Sequence, residues 1–283
     1  VVLFIGCRAG SVTTERWRFP APGKQRIVHL DIDPGVIGAS YRPDAALVGD
    51  AKLALQALAA SVRARPGGAA ARRVASALAE KYAIFDRLAA ADEAPIKPER
   101  LIATLQRLLP EDAVVAADPG TPGPYFSGYY RWPLAGRHFI ANRAHGALGF
   151  SLAAAVGAHF GRPDKTVLGV MGDGSFGMAV GELETIKRLS LPVKLIVISN
   201  SMFGWIKAGQ KASFGGRYYS VDFSPTDHAA VARAYGIDAW RVEAPAALEP
   251  TLREALQSDG PALVDVVCQP LPEANAPVSE WIA

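Results

Sequence analysis

The sequence predicts an α/β fold, its larger part a parallel six-stranded sheet with helices on both faces. Three observations predict it. From Pro98 onward, short apolar runs alternate with helix-like segments. A strand–helix–strand alternation implies parallel strands, because the chain must cross back before the next strand begins. The strand-like runs are continuously apolar rather than alternating, as strands covered on both faces are. Finally, 50% of the 283 residues are hydrophobic and 20% are charged, enough apolar material for a real core and too much for a disordered or fibrous chain.

The elements follow in order. Val1-Val2-Leu3-Phe4-Ile5, stopped by Gly6, reads as a buried strand. It opens with neither Met nor signal-peptide anatomy, and chains rarely start inside a buried strand, so a fragment of a longer protein is expected. A second strand covers Arg26 to Asp33, ended by Pro34. Residues 51–62 have helical spacing, with Leu53, Leu55 and Leu58 apolar and Asp50 placed to cap them. Arg65-Pro66-Gly67-Gly68 breaks the chain, an Ala-rich helix follows over 71–91, and 92–98 reads as a loop opening a new domain. Pro98 suits the first turn of a helix reaching Leu109. Strands are expected at 113–117, 138–140, 166–170, 194–199, 239–243 and 262–267, with helices at 147–159, 178–189, 226–235 and 246–257.

Composition excludes several function classes. The 30 basic and 27 acidic residues give +3 and are scattered, without the clustered patch that nucleic-acid binding needs. Cys7 and Cys268 are the only cysteines; they make no disulfide framework, and a reducing, cytoplasmic setting is expected. No apolar run reaches the roughly 18 residues of a membrane span.

In a parallel sheet, ligands bind beyond the carboxyl ends of the strands, so the loops there carry the functional reading. Asp118-Pro119-Gly120-Thr121-Pro122-Gly123 is a loop of small residues whose backbone can approach an anion. Asn142 to Gly149 leads into a helix rich in small residues, so something packs close to it. The third loop is the most specific. A strand ends in Gly172-Asp173-Gly174-Ser175-Phe176-Gly177, and Asn200 stands 27 residues beyond Asp173 at the end of the next strand. Adjacent parallel strands then bring a carboxylate and an amide oxygen together, a hard donor set suited to Mg2+. Gly174 and Ser175 open the following helix, where free N–H groups favour an anion. A divalent cation beside an anion site points to a bound diphosphate.

This Gly-Asp-Gly-Ser-Phe … Asn pair resembles the cofactor signature of thiamine-diphosphate enzymes. Gly181 to Thr185, Arg188-Leu189 and Leu191-Pro192-Val193 resemble the segment this family carries between the two. Residues 146–157 resemble the acetolactate synthase-like stretch before the magnesium loop, and His29 to Pro34 with Val48 to Ala51 resemble the later half of its central domain. The resemblance thus assigns 1–66 to part of a Rossmann-like central domain, 67–97 to a linker with a helix, and 98–283 to a thiamine diphosphate-binding domain.

The resemblance implies specific roles. Asp173 and Asn200, with the carbonyl of Met202, would hold Mg2+; the family often has a second Asn where this chain has Ser201. Gly120, Thr121, Gly174 and Ser175 would hold diphosphate oxygens, with Gly172, Phe203 and Gly204 also at the cofactor. Leu148 would prop the cofactor in its bent form, while its N–H and the carbonyl of Gly146 bond the aminopyrimidine. Trp205, Ile206 and Gln210 are substrate-side candidates, and His145 is a weak candidate for proton transfer. The glutamate that activates the cofactor belongs in this family to a separate pyrimidine-binding domain, usually of a neighbouring subunit. Glu182 and Glu184 do not replace it, so the chain alone is expected to bind cofactor weakly and not to turn over. Measurable decarboxylation by the purified chain would contradict this. The implied substrate is a 2-keto acid or aldehyde, the implied assembly a homodimer or homotetramer.

Acetolactate synthase-like carboligation is the leading reading, with a 2-keto acid decarboxylase or aldehyde lyase of the same family as the alternative. FAD or another nucleotide in the central domain stays open; Asp31 and Asp33 end a strand where such domains hold ribose. From other classes, a serine hydrolase at Ser175 lacks the Gly that a nucleophile elbow needs at Asp173. Gly6 to Gly10 lacks dinucleotide-binding spacing. A non-catalytic module built on the same fold predicts that Asp173→Ala changes nothing. His138, His159 and His228 show no metal-ligand spacing, and Cys7 reads as a quiet thiol.

Overall fold

The computed structural model describes residues 1–271 apart from 12, 64–66, 143 and 144; Arg65 and Pro66 of the expected breaker lie outside the described residues. The chain forms two compact units, Val1–Val74 and Ala75 onward. In the first, β1 (Val2–Ile5), β2 (Ile27–Asp31) and β3 (Ala45–Val48) make a parallel sheet in that order, followed by α1 (Ala51–Ser61). Phe4, Ala9, Ile27 and Tyr41 form its small core. Asp50 caps α1 as expected, accepting the Leu53 N–H at 2.9 Å. β3 is not legible in the sequence. Its Ala45-Ala46 start has little strand propensity, and its register against β2, Val28 opposite Ala45, is what defines it.

α2 (Ala69–Ala89) carries the chain from one unit to the next. Its second half is not a bare linker. The Lys81 ammonium donates to the carbonyl of Gly128, and Phe85 lies 4.6 Å from the Tyr129 ring. Tyr82 and Phe85, three residues apart, share one helix face.

The second unit holds β4 (Val114–Ala117), β5 (Phe139–Ile140), β6 (Val167–Gly172), β7 (Lys194–Ser199), β8 (Asp238–Val242) and β9 (Ala262–Val267). Their spatial order is β5-β4-β6-β7-β9-β8, and every pair is parallel. Around them lie α3 (Pro98–Leu108), α4 (Pro122–Tyr129), α5 (Phe150–Gly161), α6 (Asp173–Ala179), α7 (Glu182–Arg188), α8 (Gly204–Phe214), α9 (His228–Ala234) and α10 (Pro245–Gln257). No helix among the described residues is long and apolar enough to cross a membrane.

The period-2 alternation of strand side chains builds two apolar layers. Val115, Leu168, Val170, Ile196 and Val264 meet Leu101, Leu105, Phe126 and Leu252 on one face. Val114, Val167, Leu195, Val197 and Leu263 meet Leu152, Ala155, Leu183 and Ala232 on the other. The small residues of α5 find their explanation at Gly169 of β6. A Cβ there would stand 3.0 Å from Leu195 Cδ2 and 3.2 Å from Ala155 Cβ. Gly169→Val is therefore expected to destabilise the unit by about 1–3 kcal/mol through overpacking, measured as a lower midpoint in urea.

Several boundaries correct the sequence reading. The helix expected over 178–189 begins at Asp173 and is split into α6 and α7. The one expected from 147 begins at Phe150, because Gly149 takes a left-handed φ of 80°. α4 and α8 were not expected as helices. Both contain two glycines, and α4 two prolines, so propensity argues against them. Packing of Tyr125, Phe126 and Tyr129 decides α4, with Pro122 at its first turn, where a missing N–H costs nothing.

Candidate functional site

β5 lies on one side of β4 and β6 on the other. The chain reverses its direction of travel across the sheet there, so the loops after β4 and β6 stand at the carboxyl ends of the strands, where such sheets bind ligands. Several of the residues singled out in the sequence meet there. Leu148 Cδ2 lies 3.8 Å from where a Cβ on Gly120 would stand, so the loop after β4 touches the loop before α5. Gly204 faces Thr121 and Leu271: a Cβ on it would be 3.7 Å from Thr121 Oγ1 and 3.2 Å from Leu271 Cβ. Gly174 faces Phe203, whose Cε1 would be 2.5 Å from an added Cβ. That close approach is the physical reason for Gly at 174, and Phe203 is itself braced by Phe223 at 5.2 Å.

Asp173 is the centre of the arrangement. Its side chain, only 4% exposed, reaches across to the end of β7. Oδ2 accepts the N–H groups of Asn200 at 2.8 Å and Ser201 at 2.6 Å, and Oδ1 accepts the N–H of Gly174 at 2.9 Å. Two successive amides can point at one carboxylate because Ser201 adopts φ 56°, in the left-handed region. Asn tolerates that region better than Ser, so Ser201→Asn is expected to leave the bonds intact and raise the unfolding midpoint slightly. Burial pushes the Asp173 carboxyl above its ordinary value, against the pull of the three amides and of His228.

The donor set fits a divalent cation. Among the described residues, no group of three or more His, Cys, Asp or Glu side chains could hold a metal. A cation here must draw on Asp173, the Asn200 side chain, main-chain carbonyls and ligand oxygens. Met202 pairs with Asp222 in an isolated antiparallel bridge. The bonds of that bridge run from Phe203 N–H to Val221 and from Phe223 N–H to Ser201. Met202 is thus the non-hydrogen-bonded member, and its own carbonyl faces away from the pairing. A buried carboxylate lifted by desolvation gains from an adjacent dication, which offsets the cause of the lift.

Other candidates are engaged within the chain. Ser175 Oγ accepts the Gly149 N–H at 2.7 Å, so it braces the turn into α5 and keeps its own proton to donate. Among the described residues its hydroxyl bonds an amide and no histidine, so it lacks the activation a hydrolase nucleophile needs. Both ends of the Gln210 amide bond the main chain of Tyr219, at 2.9 and 3.1 Å, so it clamps the following loop. Trp205 packs against the larger apolar layer, and Ile206 is 56% exposed. His145 is exposed, and its N–H and that of Gly146 both turn back to the Asn142 carbonyl, at 3.3 and 2.9 Å. His138 bonds the Ala113 carbonyl at 3.3 Å. In the first unit, Asp31 and Asp33 accept the N–H groups of Asp33 and Gly35 at 3.0 and 2.8 Å and shape the turn after β2.

Two sets of interactions beside the site are not legible in the sequence. Asp118, 1% exposed, caps α5 from the loop after β4. Oδ1 accepts the N–H groups of Phe150 and Ser151 at 2.9 and 3.3 Å, and Oδ2 accepts the Ser151 hydroxyl at 2.6 Å. The signal was a helix preceded by Gly149, which has no side chain to cap it. Asp118→Ala is expected to cost about 1–3 kcal/mol, because it strands buried donors, and to shift Leu148; thermal denaturation checks it. The second set is a polar cluster of the buried Ser199, His228 and Asp265 with the half-buried Arg241.

Known proteins are similar to this chain in sequence. The C-terminal TPP binding domain of thiamine pyrophosphate enzymes matches residues 118–266, and the central domain of the same enzymes matches residues 1–58. A probable acetolactate synthase large subunit from Methanocaldococcus jannaschii is 30% identical over 287 residues, covering 95% of this chain and 46% of that protein. An acetolactate synthase large subunit from Parasynechococcus marenigrum is 30% identical, covering 94% of this chain and 43% of that protein. A putative thiamine pyrophosphate-containing protein, YdaP, from Bacillus subtilis is 30% identical, covering 90% and 44%. The chain spans less than half the length of these relatives. Since the first of these domains accounts for more than half of its residues, the chain belongs to the thiamine pyrophosphate enzyme family.

Proposed function

We propose that this chain provides the coenzyme-gripping part of a thiamine diphosphate- and Mg2+-dependent, acetolactate synthase-like enzyme. It would decarboxylate a 2-keto acid and join the product to a second carbonyl compound. The observation that carries the reading is the Asp173 carboxylate bonded to the first residues after β7, with Asn200 beside it. The names of the relatives support the reaction class.

When bound, the coenzyme supplies an electron sink for the carbanion left by decarboxylation. The chain's own residues bind and orient. Asp173, Asn200 and the Met202 carbonyl would hold Mg2+ against diphosphate oxygens. The Gly120-Thr121 loop, Gly172 and the Ser175 hydroxyl would face the same diphosphate. Leu148, lying against Gly120, would fill the space between the coenzyme rings without competing for their polar groups. Gly146 and Leu148 main-chain groups would meet the pyrimidine, and Phe203 with Gly204 would close the site beside α8. The activating glutamate would come from a pyrimidine-binding domain outside this chain, in a cytoplasmic homodimer or homotetramer.

Isothermal titration tests the reading. Heat of thiamine diphosphate binding is expected only with Mg2+ present and is expected to vanish with a chelator. Metal-independent binding, or none at saturating coenzyme, would contradict it. With the complete protein and pyruvate, a two-substrate carboligation product separates the acetolactate synthase-like reading from simple decarboxylation.

A further inference from the structure

We propose that His228, Ser199 and Asp265 form a positioning unit that fixes Asn200 relative to Asp173 and so sets the cation affinity of that loop; the affinity part rests on the cation reading above. Asp265, 0% exposed, stands in the middle of the apolar strand β9. Its Oδ1 accepts the Ser199 hydroxyl at 2.5 Å, and its Oδ2 accepts the His228 N–H at 3.0 Å and Arg241 Nη1 at 2.6 Å. Donors from β7, α9 and β8 thus converge on one carboxylate.

The direction of these bonds fixes the imidazole. The Ser199 proton points to Asp265, so the 3.0 Å contact between Ser199 Oγ and His228 Nδ1 requires Nδ1–H to donate to the serine oxygen. The imidazole ring also meets Phe176 edge-on, at 5.4 Å and 88°. Phe176 lies on α6 three residues after Asp173, and Ser199 directly precedes Asn200. One side chain therefore touches both segments that carry the two oxygens. Ser199 and His228 are 5% and 7% exposed, so water cannot replace a lost partner at little cost. A buried carboxylate is poor material for stability alone, since an apolar residue of similar size often serves as well. What this one supplies is a fixed geometry at the end of β7, as outer partners do for metal ligands.

The test uses Ser199→Ala and His228→Phe in the whole chain, the second keeping a ring against Phe176 while removing the donor. Leu252→Ala, in the apolar layer on the other face, is the control for lost stability. Two quantities are read: amide hydrogen exchange at Asn200 and Ser201 without metal, relative to Val115, and Mg2+ affinity with thiamine diphosphate present. Both test variants are expected to speed exchange at those amides and to weaken Mg2+ by about tenfold or more, the lower end for outer partners of a metal site. The control is expected to lower the melting temperature and leave both readouts unchanged. Unchanged exchange in both test variants overturns the positioning claim. Faster exchange with unaltered Mg2+ affinity overturns the affinity claim. A parent chain that ignores Mg2+ places the failure in the cation reading, and the exchange rates then still decide the positioning claim.

Discussion

Asp173→Ala is expected to abolish Mg2+-dependent binding of thiamine diphosphate, with a loss exceeding the roughly 10–100-fold that removal of an outer partner costs. The reason is double. The substitution removes the buried carboxylate in the set, and it frees the amides of Asn200, Ser201 and Gly174 that the carboxylate organises. Each stranded amide costs about 1–3 kcal/mol where water cannot reach it, so the end of β7 is expected to loosen as well. Asp173→Asn separates the two effects. It keeps an acceptor for the β7 amides and removes the charge, so cation binding is lost while most of the fold's stability stays.

The same residue gives a pH signature. Its carboxyl is raised above the ordinary value of 3.8 in the folded, metal-free chain, so the folded state holds the proton more tightly than the unfolded state. Its stabilising contribution is full below 3.8 and is lost as pH rises through the folded value. Mg2+ favours the ionised form and is expected to cancel this loss. Titrating stability against pH with and without Mg2+, in parent and Asp173→Asn, checks it.

Asp265→Ala is expected to destabilise the larger unit by several kcal/mol, because it strands two buried donors at about 1–3 kcal/mol each. Arg241 would keep Glu243 at 2.8 Å, but the Ser199 hydroxyl and the His228 N–H would lose their acceptor. The pH dependence runs opposite to that of Asp173. Burial alone would raise the Asp265 carboxyl; bonds from His228 and Ser199, with the charge of Arg241, overcome it and hold the group below 3.8. Its contribution is therefore present above 3.8 and is lost as pH falls through the folded value. Asp265→Asn is expected to flatten the acid limb of the stability profile, read by urea denaturation.

The contrast between these two aspartates shows what the sequence could and could not tell. Asp173 is legible because its neighbours are specific: glycines on both sides, an apolar strand before it, and an Asn at the end of the next strand. The parallel sheet is legible for a similar reason, since runs such as Leu195 to Ile198 are apolar on both faces. Asp265 is not legible. It sits in an apolar run as one polar residue, and its partners come from three other elements far along the chain. Asp118 is hidden in the same way, its cap being supplied from the loop after β4 to a helix that starts 32 residues later. Short helices rich in glycine and proline, such as α4, are decided by where their aromatic side chains land and not by local propensity.

The central claim is that Asp173 and Asn200 hold one cation against the diphosphate of a thiamine coenzyme. The most direct measurement is the anomalous scattering of Mn2+ in crystals of the chain soaked with thiamine diphosphate and that ion. The expected result is a single peak in contact with Asp173 Oδ1 or Oδ2, the Asn200 side-chain oxygen and the Met202 carbonyl, at about 2.0–2.1 Å, as for a small hard dication. A peak elsewhere, or none at saturating coenzyme, would contradict it.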